Sequence, residues 1–182
     1  MRIPAIEASY EAFMSRAYAI EVEAVERYTQ FADQLEQHNN REVAGVFRKL
    51  AEIEGLHAKH ILDEMGWPSL PVLPVPYASG EPEGPETAPF DSLHYLMQPY
   101  HALEIGLRCE IDAVNYFEDI AAGASDERVR AAASHMAAEE REHVTLMRDW
   151  MKRVPRHLLA NNLGLPEGAF APGRKGRAAL IT

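Results

Sequence analysis

Cysteine is almost missing from this sequence. Cys109 stands alone, so no disulfide can close within the chain, and no Cys-rich zinc or iron–sulfur site can be built from it. A long apolar run is missing too, since no stretch reaches the roughly 20 uninterrupted apolar residues of a membrane helix. The opening residues MRIPAIEASYEAFM carry acids where a secretory signal would be apolar. The third shortage is positive charge. Lys and Arg number 18 against 28 Asp and Glu, and the formal charge of -10 argues against a general nucleic-acid or anionic-membrane binder. These shortages lead us to expect a cytoplasmic protein with no nucleic-acid and no membrane partner. The 182 residues are 47% hydrophobic, enough for one domain with a sizeable core.

Helical periodicity dominates what is present. From about Glu7 to Gln37 an apolar stripe runs through Phe13, Ala17, Ile20, Ala24, Tyr28, Phe31 and Leu35. A second helix follows HNN, with Asn39 and Glu42 as a capping box. It carries Val43, Phe47, Leu50, Ile61 and Met65 on one face, and Gly66 before Trp67-Pro68 ends it. Residues 66–98 hold seven prolines, which exclude a long helix or central strand. This segment reads as an extended crossover strap, with SLPVLPVPY alternating proline and apolar residues able to dock on a surface. A third helix spans about 99–122 with Pro99 in its first turn, and a short helix at Asp91-Ser92 precedes it or joins it at a kink. A fourth runs to about Val154 from an N-cap at Ser125. Residues 155–182 form an irregular tail with a basic patch at Arg174, Lys175 and Arg177. The expected architecture is all-α over 1–154: a ferritin-like four-helix bundle of two antiparallel hairpins joined by a long crossover.

Helical phase separates core-facing acids from surface acids. An α-helix turns about 100° per residue, so positions i, i+3, i+4 and i+7 share a face. Glu21 falls inside the stripe of Ala17, Ala24 and Tyr28, whereas Glu23 and Glu26 point away. Glu54 and His57 continue Phe47, Leu50 and Ile61. Glu110 sits among Leu103, Leu107, Ala113 and Phe117. Glu140 and His143 continue Val129, Ala133, Met136, Met147 and Trp150, with Glu142 turned outward. Four carboxylates and two imidazoles thus face the core, and no Lys or Arg lies on the same stripes. A buried carboxylate must be paired, protonated or bound to a cation, because desolvating it alone costs several kcal/mol, on the order of 3 or more. Two divalent cations would balance four carboxylates, and mixed carboxylate–imidazole donors suit iron, with manganese as the other choice. The order also repeats. Glu21 precedes Glu54–His57 by 33 residues and Glu110 precedes Glu140–His143 by 30, while EVEAVERYTQFA (21–32) parallels EIDAVNYFEDIA (110–121). Each hairpin supplies Glu plus Glu-x-x-His, as two pseudo-symmetric halves enclosing a pair of metals would require.

With this doubled set, and with RYTQFADQL (27–35) and AEIEGLHAKHIL (51–62), the chain resembles the ferritin-like di-iron carboxylate superfamily, nearest its rubrerythrin and bacterioferritin branches. The resemblance covers about residues 10–65 and 100–152. It implies that Glu21 and His57 cap one iron, Glu110 and His143 cap the other, and Glu54 and Glu140 bridge both. Three departures stand out. A single cysteine cannot build the electron-transfer iron domain of rubrerythrin proper. Leu107 occupies the position of an additional ligand-type Glu in rubrerythrins. Gly55 stands where the haem of bacterioferritin would need Met, so no haem is expected. The resemblance further implies reaction with hydrogen peroxide or dioxygen, electrons from a separate donor protein, and a homodimer or higher homo-oligomer.

Other residues are weaker candidates. His60 lies one turn beyond His57, as a supporting or alternate ligand. Tyr28, two turns from Glu21, either hydrogen-bonds near the metals or packs in the core. Glu139 reads as exposed, Cys109 as a small buried residue, and His38, His94, His101, His135 and His157 as off the ligand faces. The leading expectation is a peroxidase or ferroxidase of rubrerythrin type. An iron-handling protein without turnover, a di-iron monooxygenase with the strap over an organic substrate, and a metal-free bundle remain alternatives.

Overall fold

The computed structural model describes residues 9–67 and 84–154. Four long helices account for most of them: α1 (Tyr10–Gln37), α2 (Arg41–Met65), α3 (Pro99–Gly123) and α4 (Glu127–Arg153), with one 3-10 turn at Phe90–Ser92. α1 packs along α2 and α3 along α4 as two hairpins, with slighter α2–α3 and α1–α4 contacts completing the four-helix bundle. The docking expected of residues 69–77, and the basic tail at 155–182, lie outside the described residues.

Local chemistry sets the helix ends, and two of them shift from the expected residue. Ser9 accepts from Ala12 N and starts α1. Asn39, expected to cap α2, takes a left-handed conformation at φ 59°, and Asn40 stands at the cap position instead. The Asn40 side chain does not cap the helix, because its amide is engaged elsewhere: Nδ2 donates to the carbonyls of Tyr95 (3.2 Å) and Met97 (2.9 Å), tying the strap to α2. Asp126 rather than Ser125 caps α4, accepting from Arg128 N at 2.8 Å. Gly66 closes α2 at φ 56°, a backbone state that glycine adopts without Cβ strain. Pro99 opens α3 as expected.

The core forms two apolar clusters. One contains Tyr28, Phe31, Leu35, Phe47, Leu50, Leu103, Met147 and Trp150. The other contains Phe13, Met14, Ala17, Phe117, Ile120, Val129 and Ala133. In every helix the boundary between them falls at a glutamate: Glu21, Glu54, Glu110 and Glu140 are all buried between residues of the two clusters. A layer of carboxylates therefore cuts across an otherwise apolar interior. Gly106 brings α3 close to α2 beside this layer, where a Cβ would meet Leu50 Cδ1 at 3.0 Å.

Phe47 anchors the upper cluster, stacked on Tyr28 at 5.9 Å and edge-on to Phe31 at 5.2 Å between ring centroids. Phe47→Ala is expected to cost about 3–5 kcal/mol of unfolding free energy through lost burial and a residual cavity. Urea unfolding of the metal-free protein checks this, with the exposed Ile111→Ala as the near-neutral control.

Candidate metal centre

All six residues selected by helical phase converge on one point in the bundle. The Nδ1 atom of His57 lies 3.5 Å from Glu21 Oε2, 3.6 Å from Glu54 Oε2 and 3.8 Å from Glu140 Oε1. The Nδ1 atom of His143 lies 3.0 Å from Glu140 Oε2 and 3.3 Å from Glu110 Oε2. The two imidazoles stack nearly parallel, 4.6 Å between centroids at 6°. Donor atoms of Glu21, Glu54 and His57, and separately of His57, Glu140 and His143, lie within 4.8 Å of one another, a spacing that one ion could gather. Glu140 reaches both histidines, which is the position a bridging carboxylate needs. The i, i+3 spacing is responsible: it puts Glu54 with His57, and Glu140 with His143, on one face of their helices.

The electrostatics state what is missing. Burial, followed by the neighbouring carboxylates, holds Glu21 and Glu54 well above the usual carboxylate range. Burial pushes Glu110 up to about 8. For His143, burial opposes the charged form, but hydrogen bonds to Glu110 and Glu140 overcome it and hold the imidazole well above its ordinary value. Glu140 is the counterpart: burial would raise it, but His143 draws it down to about 2. Burial lowers His57 to about 4, leaving it neutral at physiological pH. One imidazolium could offset only one of the surrounding acids were they all ionised. Glu21 Oε2 and Glu110 Oε1 are buried without a hydrogen-bond partner among the described residues, while Glu110 Oε2 faces His143 Nδ1. Orphaned acceptors directed at a common point, beside two inward Nδ1 atoms, fit a pair of divalent cations.

The sequence reading missed one acid. Glu86, on the strap, is 3% exposed, and one of its oxygens shares a 4.8 Å neighbourhood with Glu21 and Glu140. Phase arguments do not reach an irregular segment, so only its setting in GPETAPF offered any signal. The residues rated as weaker divide. Tyr28 is fully buried in the core, and its hydroxyl lies beside Cys109, Glu54 and Glu110. Cys109 is buried, and burial raises its thiol to about 12. His60 is exposed and joins none of the donor groups. Leu107 packs as a partly buried apolar residue. Glu139, read as exposed, is partly buried and pairs with His135 at 3.3 Å.

Two cavities flank this region. One, of about 470 Å³, runs between α1, α2 and α4 and reaches Glu21, His57 and Glu140, with Glu64, His135 and Glu139 among its other lining residues. A larger one, about 800 Å³, lies between the described strap and α3 and is lined by none of the six candidate ligands. No helix among the described residues is long and apolar enough to cross a membrane.

Comparison with known proteins agrees with the four-helix fold. Residues 12–68 match the rubrerythrin family profile, and residues 86–162 match the profile described as EncFtn-like. No curated protein matches the chain. The solved structure of an uncharacterised conserved protein from Magnetospirillum magnetotacticum is similar, at 36% identity over 81% of this chain and 96% of that one, with a TM-score of 0.60. With two profiles of one superfamily falling on the two hairpins, and a relative of that identity spanning most of the chain, the protein belongs to the ferritin-like superfamily.

Proposed function

We propose that the chain is a non-haem di-iron oxidoreductase that reduces hydrogen peroxide or dioxygen with electrons from a separate donor protein. One observation carries this reading: buried carboxylates, some without a hydrogen-bond partner among the described residues, lie with two imidazoles at the end of a cleft that reaches Glu21, His57 and Glu140. When bound, a reduced iron pair would supply two electrons to a small oxidant. The chain's own residues do the rest. Glu21 and His57 would hold one metal, Glu110 and His143 the other, and Glu54 and Glu140 both. The apolar clusters on either side keep the layer dry, which strengthens its electrostatics and limits side reactions. The two imidazoles stack, and the Nδ1 atom of each lies beside glutamate oxygens.

The cleft has a mixed lining: ionisable Glu64, His60, His135, Glu139 and Arg128 stand beside apolar Met14, Ile61 and Met136. Its ionisable side suits a small polar oxidant. An organic substrate under the strap is less well supported, because the cavity there meets no candidate ligand. The acids Glu64 and Glu139 do favour a second reading, ferroxidase action or iron handling, in which Fe(II) itself enters as substrate. Homodimer or higher assembly, and manganese in place of iron, remain proposals alongside these.

Stopped-flow mixing separates the readings. The anaerobically reduced, iron-loaded protein is expected to be oxidised by peroxide faster than by dioxygen, and faster than free Fe(II) is by either. Oxidation no faster than that of free Fe(II) would remove the enzymatic reading. Preference for dioxygen with continued Fe(II) uptake would select the ferroxidase.

Metal analysis tests the donors: Glu54→Ala and Glu140→Ala should each lose most bound iron after anaerobic loading. Unchanged iron content would reject the bridging roles.

Stability should depend on pH in a direction set by the raised carboxylates. In the folded metal-free protein Glu110 keeps its proton to about 8 instead of its ordinary 4.5, and the folded state also binds the His143 proton more tightly than the unfolded chain. Stability that is present at low pH is therefore lost as pH rises through these folded values. His57, held at about 4, acts the other way only below its ordinary 6.5. From about pH 6.5 to 8 the Tm of the metal-free protein is expected to fall, while the Tm gain on adding Fe(II) or Mn(II) grows, because metal binding requires deprotonated ligands. Calorimetry with and without a chelator measures both.

A further inference from the structure

Glu86 belongs to no helix, yet it is buried as deeply as the helical glutamates, at 3% exposure. Both of its carboxylate oxygens are inaccessible and have no hydrogen-bond partner among the described residues. The titratable groups it faces are Glu21, Glu140, Glu54, Glu110 and His143, four acids against a single imidazole. One oxygen lies within 4.8 Å of oxygens from both Glu21 and Glu140. If it served only to pack the strap, an apolar residue or an amide would do so without desolvating a carboxyl group.

The strap is built to present this side chain. Thr87 N donates to Gly84 O at 3.0 Å, closing a turn around Glu86. Arg27 on α1 donates to Ala88 O and lays its guanidinium over the Phe90 ring, 3.7 Å from the centroid. Glu86, Thr87 and Ala88 are buried in succession. The backbone is tied down immediately beyond Glu86, and the carboxylate is directed into the gap between Glu21 and Glu140.

We propose that Glu86 is a ligand of the metal centre: a fifth carboxylate, delivered by the crossover strap to the ion held by Glu21 and His57. The proposal rests on the di-metal reading above and extends it to a seventh protein donor. Docking of the strap and filling of the site then become coupled, since a metal that draws on Glu86 also holds residues 84–88 in place.

Titration of the metal-free protein with Co(II), and anaerobically with Fe(II), tests the assignment in wild type, Glu86→Gln and Glu86→Asp. Wild type should take up two ions per chain. E86Q should bind one of them at least about tenfold more weakly, the scale expected for loss of a group that supports a metal site, with an altered Co(II) visible spectrum. Without metal, E86Q should melt no lower than wild type, because the change removes a buried, unpartnered carboxylate. Metal should slow amide exchange at residues 84–88 in wild type and much less in E86Q. Two ions bound by E86Q with wild-type affinity and spectrum would overturn the Glu86 assignment alone. A metal-free E86Q that melts well below wild type would also overturn it, by showing a structural role. A wild-type chain that binds no metal would overturn the di-metal reading and this proposal together.

Discussion

Carboxylates that cannot all be ionised in each other's company are the constraint on which this protein is organised. Five glutamates, Glu21, Glu54, Glu86, Glu110 and Glu140, are buried within one layer, with His143 as the imidazole that takes a proton there. In water such acids would simply charge; within the bundle each added negative charge raises the cost of the next. The apolar clusters above and below enforce this by holding all five glutamates at 2–3% exposure. The fold thus creates a demand for cations, and the native contacts that pack the helices are the same ones that make the site attractive to metal.

That constraint explains why the helices are long and simple while the site is not. Aromatic packing around Phe47 and Phe117 joins α1 to α2 and to α3, so residues far apart in sequence are held together in space. Rigid helices are suited to this purpose, because a displaced ligand on a helix would have to move its apolar neighbours too. The pseudo-repeat gives matched donors, but their environments differ. His143 shares its proton with two carboxylates, whereas burial keeps His57 neutral. Symmetry of sequence thus yields an electrically uneven pair.

Much of this was legible from spacing alone. The doubled Glu-x-x-His, in phase with Leu50–Ile61 and Ala133–Met147, pointed to all four helical glutamates and both histidines, because the 3.6-residue period turns a sequence position into a direction. The bundle followed from the same stripes and the long proline-rich crossover. The helix caps read less well: Asn39 and Asn40 are chemically identical, yet Asn39 takes the left-handed state while Asn40 stands at the cap position with its side chain bonded to the Tyr95 and Met97 carbonyls. Glu86 was invisible because a segment without period gives a side chain no predictable direction. Its place is set by tertiary contacts through Arg27 and by the turn at Gly84. The cleft was hidden for a related reason, being the space that α1, α2 and α4 leave between them rather than a property of any one segment.

The proline-rich crossover has one more consequence. A carboxylate carried on a helix is committed by the packing of that helix, whereas Glu86 is placed by the turn at Gly84 and by Arg27. On the proposed reading, a substitution at Glu86 would change the charge of the donor layer by one unit without altering any helix.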